Sequence, residues 1–196
     1  MKSRHWNILI VGMMLAIIEA LCVTGCKPPA PPAPATQPSK PLVCVISGLG
    51  NPQLHDIAVM IRDSVPQVEV IEFTGRNTYL SDLGAVLRAN KDRKKIVLSH
   101  SYGGDKVNQV INSGDDIGEV ELWLAFDPVP EHIFGKFNVP PKVKRMVAVW
   151  ADQGILIRAD IRYPTVEYRI HGEHSEICHT PEAFDIVDRE LSEALK

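Results

Sequence analysis

Six short β-branched runs, at residues 42–47, 68–73, 95–99, 121–126, 145–150 and 165–170, alternate with stretches whose apolar residues recur at helical spacing. This alternation leaves few ways to fold. Successive strands are separated by enough chain for a crossover helix, and strands joined that way lie parallel, with helices packed against the sheet. The helical patterns fall at 54–65, 81–90, 104–112 and 181–195, the last with Phe184, Val187, Leu191 and Ala194 along one face. The segment after Trp150 has room for a further short helix. The expected fold is α/β, an about six-stranded, mostly parallel sheet flanked by helices. Residues 42–196 are enough for one domain with a substantial core and leave no spare length for a cap domain.

In open parallel sheets the reactive groups gather at the carboxyl ends of strands, and the third run ends in the most informative local pattern. Residues 96–104 read Ile-Val-Leu-Ser-His-Ser-Tyr-Gly-Gly. A serine hydroxyl is a weak nucleophile at neutral pH. An enzyme that uses one must expose it on a sharp turn beside a base, with N–H donors facing the developing oxyanion. Small residues at Ser99 and Gly103 let a strand and a helix approach closely around Ser101, and Val107, Val110 and Ile111 follow at helical spacing. The pattern resembles the strand-to-helix nucleophile elbow of α/β-hydrolases, G-x-S-x-G, with Ser99 where some small bacterial lipases carry alanine.

The resemblance extends over most of residues 42–195 and implies a minimal α/β-hydrolase fold with Ser101 as nucleophile. It implies an oxyanion hole built from the backbone amides of Tyr102, the residue after the nucleophile, and Leu49, in the Ser47-Gly-Leu-Gly-Asn-Pro turn after the first strand. The family carries its histidine between the last strand and the final helix, where this chain reads Tyr168-Arg-Ile-His-Gly-Glu-His-Ser-Glu-Ile. His174 is favoured as the base because the sequence after it, through Thr180-Pro-Glu-Ala-Phe, is similar to the family's layout. His171, at the strand end, orders the loop. Two aspartates directly follow apolar runs and compete for the acid. Similarity to small lid-less bacterial lipases in Trp150-Ala-Asp-Gln-Gly-Ile-Leu-Ile and Tyr168-Arg-Ile-His-Gly favours Asp152, with Asp127 the alternative. Those lipases space the histidine landmarks by one residue more. The chain order Ser, Asp, His is that of α/β-hydrolases and not that of chymotrypsin or subtilisin.

The N-terminus reads as a targeting segment, because Lys2, Arg4 and His5 precede an apolar run at 8–18 and small residues follow. Leu21-Cys-Val-Thr-Gly-Cys26 resembles a bacterial lipobox, which implies removal of residues 1–25 and lipidation of Cys26. Residues 28–41 are dominated by proline and alanine, a composition that favours extended polyproline II and makes a spacer of about 3.1 Å per residue. The expected organisation is thus a signal peptide (1–25), a lipidated cysteine with its linker (26–41) and the hydrolase domain (42–196). Such a protein sits in the bacterial cell envelope. Lys27, where an aspartate would retain it, fits the outer membrane of a Gram-negative host, on its periplasmic side or at the cell surface.

A net charge of -3 offers no basic surface for nucleic acid, and the run Lys91-Asp-Arg-Lys-Lys reads as a solvated turn before a strand. Of the cysteines outside the leader and lipobox, Cys44 sits in an apolar strand and reads as a buried thiol, with a Cys44–Cys178 disulfide as the alternative. His171, His174 and His179 have no carboxylate at matched spacing, so no metal and no cofactor is expected. The resemblance implies a serine hydrolase that cleaves carboxylic esters, with a small-molecule or lipid ester as substrate. Residues Ile133, Phe134 and Phe137 either line an acyl groove or cover the sheet edge. Thioesterase or amidase chemistry on the same residues, and a non-catalytic envelope binding protein, are the alternatives.

Overall fold

The computed structural model describes residues 39–48, 53–74, 79–130, 136–153, 160–162 and 166–196. In chain order the elements are β1 (Leu42–Ile46), α1 (His55–Ser64), β2 (Glu69–Phe73), α2 (Tyr79–Ala89), β3 (Lys95–His100), α3 (Tyr102–Ile111), β4 (Val120–Phe126), β5 (Lys136–Asn138), β6 (Val143–Gln153), β7 (Asp160–Arg162), β8 (Val166–Glu173), a 3₁₀ turn (Ile177–His179) and α4 (Pro181–Leu195). Six strands form one sheet in the order β2-β1-β3-β4-β6-β8, and every neighbouring pair is parallel. All six sequence-read strands and four helices are present. Directly after Trp150 β6 continues to Gln153, and β7 pairs in parallel with β5 as a separate two-stranded ribbon; the rest of the stretch with room for a short helix, residues 154–159, lies outside the described residues.

Strand alternation divides the core into two layers. Val43, Val45, Ile96, Leu98, Leu122 and Leu124 pack with Ile57 and Ile61 of α1 and with Ile186, Val187 and Leu191 of α4. Leu42, Cys44, Ile46, Val97, Trp123 and Ala125 face the other way, onto Leu83 and Leu87 of α2 and Val107, Val110 and Ile111 of α3. Cys44 and Cys178 are free, buried thiols in opposite layers, so a disulfide between them would have to cross the sheet. Burial pushes the Cys44 thiol up to about 12 and the Cys178 thiol well above its ordinary value. Phe137 is fully buried and stacks on Trp123 with ring centroids 5.8 Å apart, which makes it a cover for the sheet and not part of an open acyl groove. Ile133 and Phe134 lie outside the described residues. Lys95 departs from the solvated-turn reading. It is fully buried, and its ammonium donates to the carbonyls of Asn90, Lys91 and Arg93 at 3.2, 2.7 and 2.8 Å, satisfying the turn between α2 and β3.

The reversal of strand order between β1 and β3 creates a crevice at their carboxyl ends, where ligands of open α/β sheets bind. At the far side α4 is fastened by Glu190, 2% exposed, which accepts from Arg145 of β6 at 2.7 and 3.2 Å and from Tyr168 of β8 at 2.8 Å. Burial works to raise the Glu190 pKa, but these donors outweigh it and leave the carboxyl below its usual range. A carboxylate whose pKa is lower folded than unfolded contributes stability above the unfolded value that disappears as pH falls through the folded one. Glu190→Gln is therefore expected to cost about 2 kcal/mol in urea unfolding at pH 7. The difference from wild type should shrink as the pH is taken below about 4.

Candidate active site

The residue that joins β3 to α3 is Ser101, and its backbone angles, φ 55° and ψ −130°, lie where side chains are rarely found. Two hydrogen bonds hold it there. Its N–H donates to the Phe126 carbonyl at 2.9 Å, and its own carbonyl accepts from Val129 at 3.1 Å, so the ends of β3 and β4 clamp the turn. Close packing explains the small flanking residues. A Cβ on Gly103 would lie 2.6 Å from the Ile46 carbonyl, and one on Gly48, in the turn after β1, would lie 2.8 Å from the Ser101 Cβ. Ser99 is small but not inert: its hydroxyl accepts from the indole N–H of the buried Trp123 at 3.0 Å.

Around the Ser101 hydroxyl a hydrogen-bonded chain is in place. His174 Nε2 lies 2.8 Å from Ser101 Oγ, and His174 Nδ1 lies 2.6 Å from Asp127 Oδ2. A carboxylate can only accept, so Nδ1 carries the imidazole proton and Nε2 presents its lone pair to the serine. Asp127 is 1% exposed and follows β4 directly, with its own φ at 37°. Tyr102 opens α3, and the first-turn amides of a helix have no intrahelical acceptor, so its N–H is available at the foot of the turn. Leu49 lies outside the described residues, as does Cys26.

The preference for Asp152 over Asp127 is corrected by this geometry. Asp152 accepts from His171 Nδ1 at 2.7 Å and from the Gly172 amide at 2.9 Å, and both side chains of the pair are exposed. Topology gives the reason. β4 adjoins β3, which carries the serine, whereas β6 is one strand further out and turns irregular between Ala151 and Gln153. The Gly172 amide and then His171 hold Asp152 below the usual carboxylate range, and Asp152 in turn raises the His171 pKa. His179 pairs with Asp56 of α1 at 3.0 Å, so the three histidines of this segment go to three different carboxylates. Among the described residues no group of three His, Cys, Asp or Glu side chains is placed to hold a metal ion.

Sequence reasoning passed over His100. It is the last residue of β3, is 1% exposed, and its ring centroid is 4.7 Å from that of His174. Its Nε2 lies 2.9 Å from the His174 carbonyl oxygen, which makes Nε2–H the donor. Burial pushes its pKa down to about 4. A strand buried along its whole length has no solvent side, and that is the signal by which a histidine in it could have been recognised as interior.

No protein-family model matches the chain, and no curated protein matches it in sequence. Solved structures do match in fold. Human thioesterase 2 aligns with a TM-score of 0.55 at 10% identity, over 80% of this chain and 96% of that one. The ydeN gene product from B. subtilis aligns at 0.57 and 9% identity, over 78% and 99%. An acetyl xylan esterase aligns at 0.52 and 8% identity, over 82% and 100%. At these identities the likeness establishes the fold, a parallel sheet flanked by helices as in small α/β-hydrolases.

The strain at Ser101 is testable without any substrate. A non-glycine residue held at such angles costs about 1–3 kcal/mol. Ser101→Gly should relieve that cost and Ser101→Ala should keep it. In urea unfolding the glycine variant is expected to be the more stable of the two by about 1 kcal/mol. Equal stabilities would mean that the turn stores no strain.

Proposed function

We propose that the protein is a serine hydrolase that cleaves carboxylic esters through an acyl-enzyme intermediate. The observation that carries this reading is the unbroken hydrogen-bonded chain from Ser101 Oγ through His174 to the buried Asp127 carboxylate, set on a strained turn. The nucleophile, base and acid are thus Ser101, His174 and Asp127. His174 Nε2 takes the serine proton as Oγ attacks the carbonyl carbon. Asp127 keeps the imidazole in the right tautomer and stabilises the imidazolium that forms. The developing oxyanion meets the Tyr102 amide, with the turn after β1 as the source of a second donor. His174 then protonates the leaving alcohol. A water enters, gives its proton to His174 and attacks the acyl-serine, and His174 passes that proton to Ser101 Oγ as the acid is released.

The solved structures of similar fold include an acetyl xylan esterase and metagenome-derived lipolytic enzymes, which supports a hydrolase reading for this site. A thioesterase acting by the same steps is the second reading, favoured by the likeness to human thioesterase 2. We propose further that the lipobox-like Leu21-Cys-Val-Thr-Gly-Cys26 and the proline-rich stretch after it tether the domain to a bacterial envelope membrane, within reach of lipophilic esters. No helix among the described residues is long and apolar enough to cross a membrane.

The test is covalent labelling by a fluorophosphonate together with turnover of short p-nitrophenyl esters and acyl-thioesters. Wild type should label once, at Ser101, and Ser101→Ala and His174→Ala should lose both labelling and turnover. Asp127→Asn puts an amide donor against Nδ1 and favours the wrong tautomer, so kcat should fall about 10⁴-fold. Asp152→Asn should stay within about threefold of wild type, since an exposed ion pair contributes little. A labelled wild type that turns over only thioesters selects the second reading. Absence of labelling in a folded wild-type protein rejects both.

A further inference from the structure

We infer that His100 is a positioning residue for His174: it donates Nε2–H to the His174 backbone carbonyl and lays its ring against the His174 ring, fixing where the imidazole meets Ser101. The inference rests on the hydrolase reading above for its kinetic consequence, but its geometric content stands apart from it.

Three observations carry it. His174 belongs to a turn that follows the edge strand β8, whereas Ser101 and Asp127 belong to neighbouring inner strands clamped by backbone hydrogen bonds. The base is therefore the one member of the chain whose placement depends on a separate segment. His100 supplies the missing link, because it directly precedes Ser101 on β3 and reaches the His174 carbonyl at 2.9 Å with the rings 4.7 Å apart. Finally, His100 Nδ1 is buried with no hydrogen-bond partner among the described residues. A buried acceptor left without a donor is a cost that an apolar residue of similar size would avoid. A histidine here makes sense for what its other nitrogen does.

The groups that face His100 are His174 on the loop, Asp127 at the end of β4 and His179 in the 3₁₀ turn. A cation at His100 would sit beside the imidazolium that forms on His174 during acyl transfer and oppose it. Burial keeps the His100 ring neutral through the physiological range, so it can hold the base without repelling its charged form.

Two variants separate donor from ring. His100→Phe keeps the ring and loses the donor, and His100→Gln keeps a donor at the position of Nε2 and loses the ring. If donation positions His174, kcat should fall about 10- to 100-fold in His100→Phe with KM changed less than about threefold, and His100→Gln should recover most of the loss. A second readout needs no turnover. The His174 Nδ1 proton shared with Asp127 gives a far-downfield proton NMR resonance, expected in wild type and His100→Gln and lost to exchange in His100→Phe. Persistence of that resonance unchanged in His100→Phe overturns the inference, whether or not the protein hydrolyses esters. Equal loss in both variants together with a lowered melting temperature also overturns it and makes His100 a packing residue. A wild type that shows the resonance pattern but neither labels nor turns over rejects the hydrolase reading and leaves the positioning role standing.

Discussion

The site depends on one backbone conformation, the left-handed turn at Ser101. A serine would not adopt φ 55° and ψ −130° in an isolated chain, and the fold imposes it through the bonds to Phe126 and Val129 and through the tight approach of α3 to the end of β1 at Gly103. Once the turn is fixed, much else follows. The Tyr102 amide is left at a helix start, the hydroxyl lies 2.8 Å from His174 Nε2, and the next strand, β4, brings Asp127 to the same end of the sheet. The sheet's two apolar layers make this imposition affordable, since they bury β1, β3 and β4 on both faces.

The segment from His171 to His179 is held differently. Three histidines meet three carboxylates from three elements: His171 with Asp152 of β6, His174 with Asp127 after β4, and His179 with Asp56 of α1. These pairs are not equal. The His171 and His179 pairs are exposed, and such pairs contribute about 0–1 kcal/mol each. The Asp127 carboxylate is buried, so the Nδ1–H of His174 is a hydrogen-bond donor whose removal would leave a buried charge unsatisfied. The loop's geometry is thus governed by the one buried pair, to which the proposed function assigns the chemistry, with the exposed pairs setting only how the flanks lie.

Much of this was legible in the sequence because a parallel sheet writes itself plainly: buried strands are continuous apolar runs, and the amphipathic pattern of 181–195 marks α4 to the residue. The turn around Ser101 was legible because close packing demands small residues. What failed was long-range choice. Asp127 and Asp152 look alike in sequence, each an aspartate after an apolar run, and only the strand order says which lies beside the serine's strand. Lys95 and His100 were misread or missed for a related reason. Both are polar residues at the ends of β3, and whether such a residue is solvated depends on carbonyls contributed by other segments, those of residues 90, 91 and 93 for Lys95 and that of His174 for His100.

Under the proposed hydrolase reading, placing the acid on β4 has a geometric consequence. Serine and acid sit on adjacent strands joined by the Ser101 to Phe126 hydrogen bond, with the Asp127 amide bonded in turn to Val149 of β6 at 2.6 Å. Both are thereby fastened to the inner strands by backbone hydrogen bonds. Asp152, on β6, instead lies on the strand paired with β8, which leads into the histidine loop. His174 alone of the three comes from the segment after the edge strand β8. On the proposed hydrolase reading, rate hinges on how well that single imidazole is registered, because a general base displaced by about 1 Å can lose about a hundredfold in rate. On that reading the contact that ties the His174 backbone to β3, from His100 at 2.9 Å, bears directly on rate.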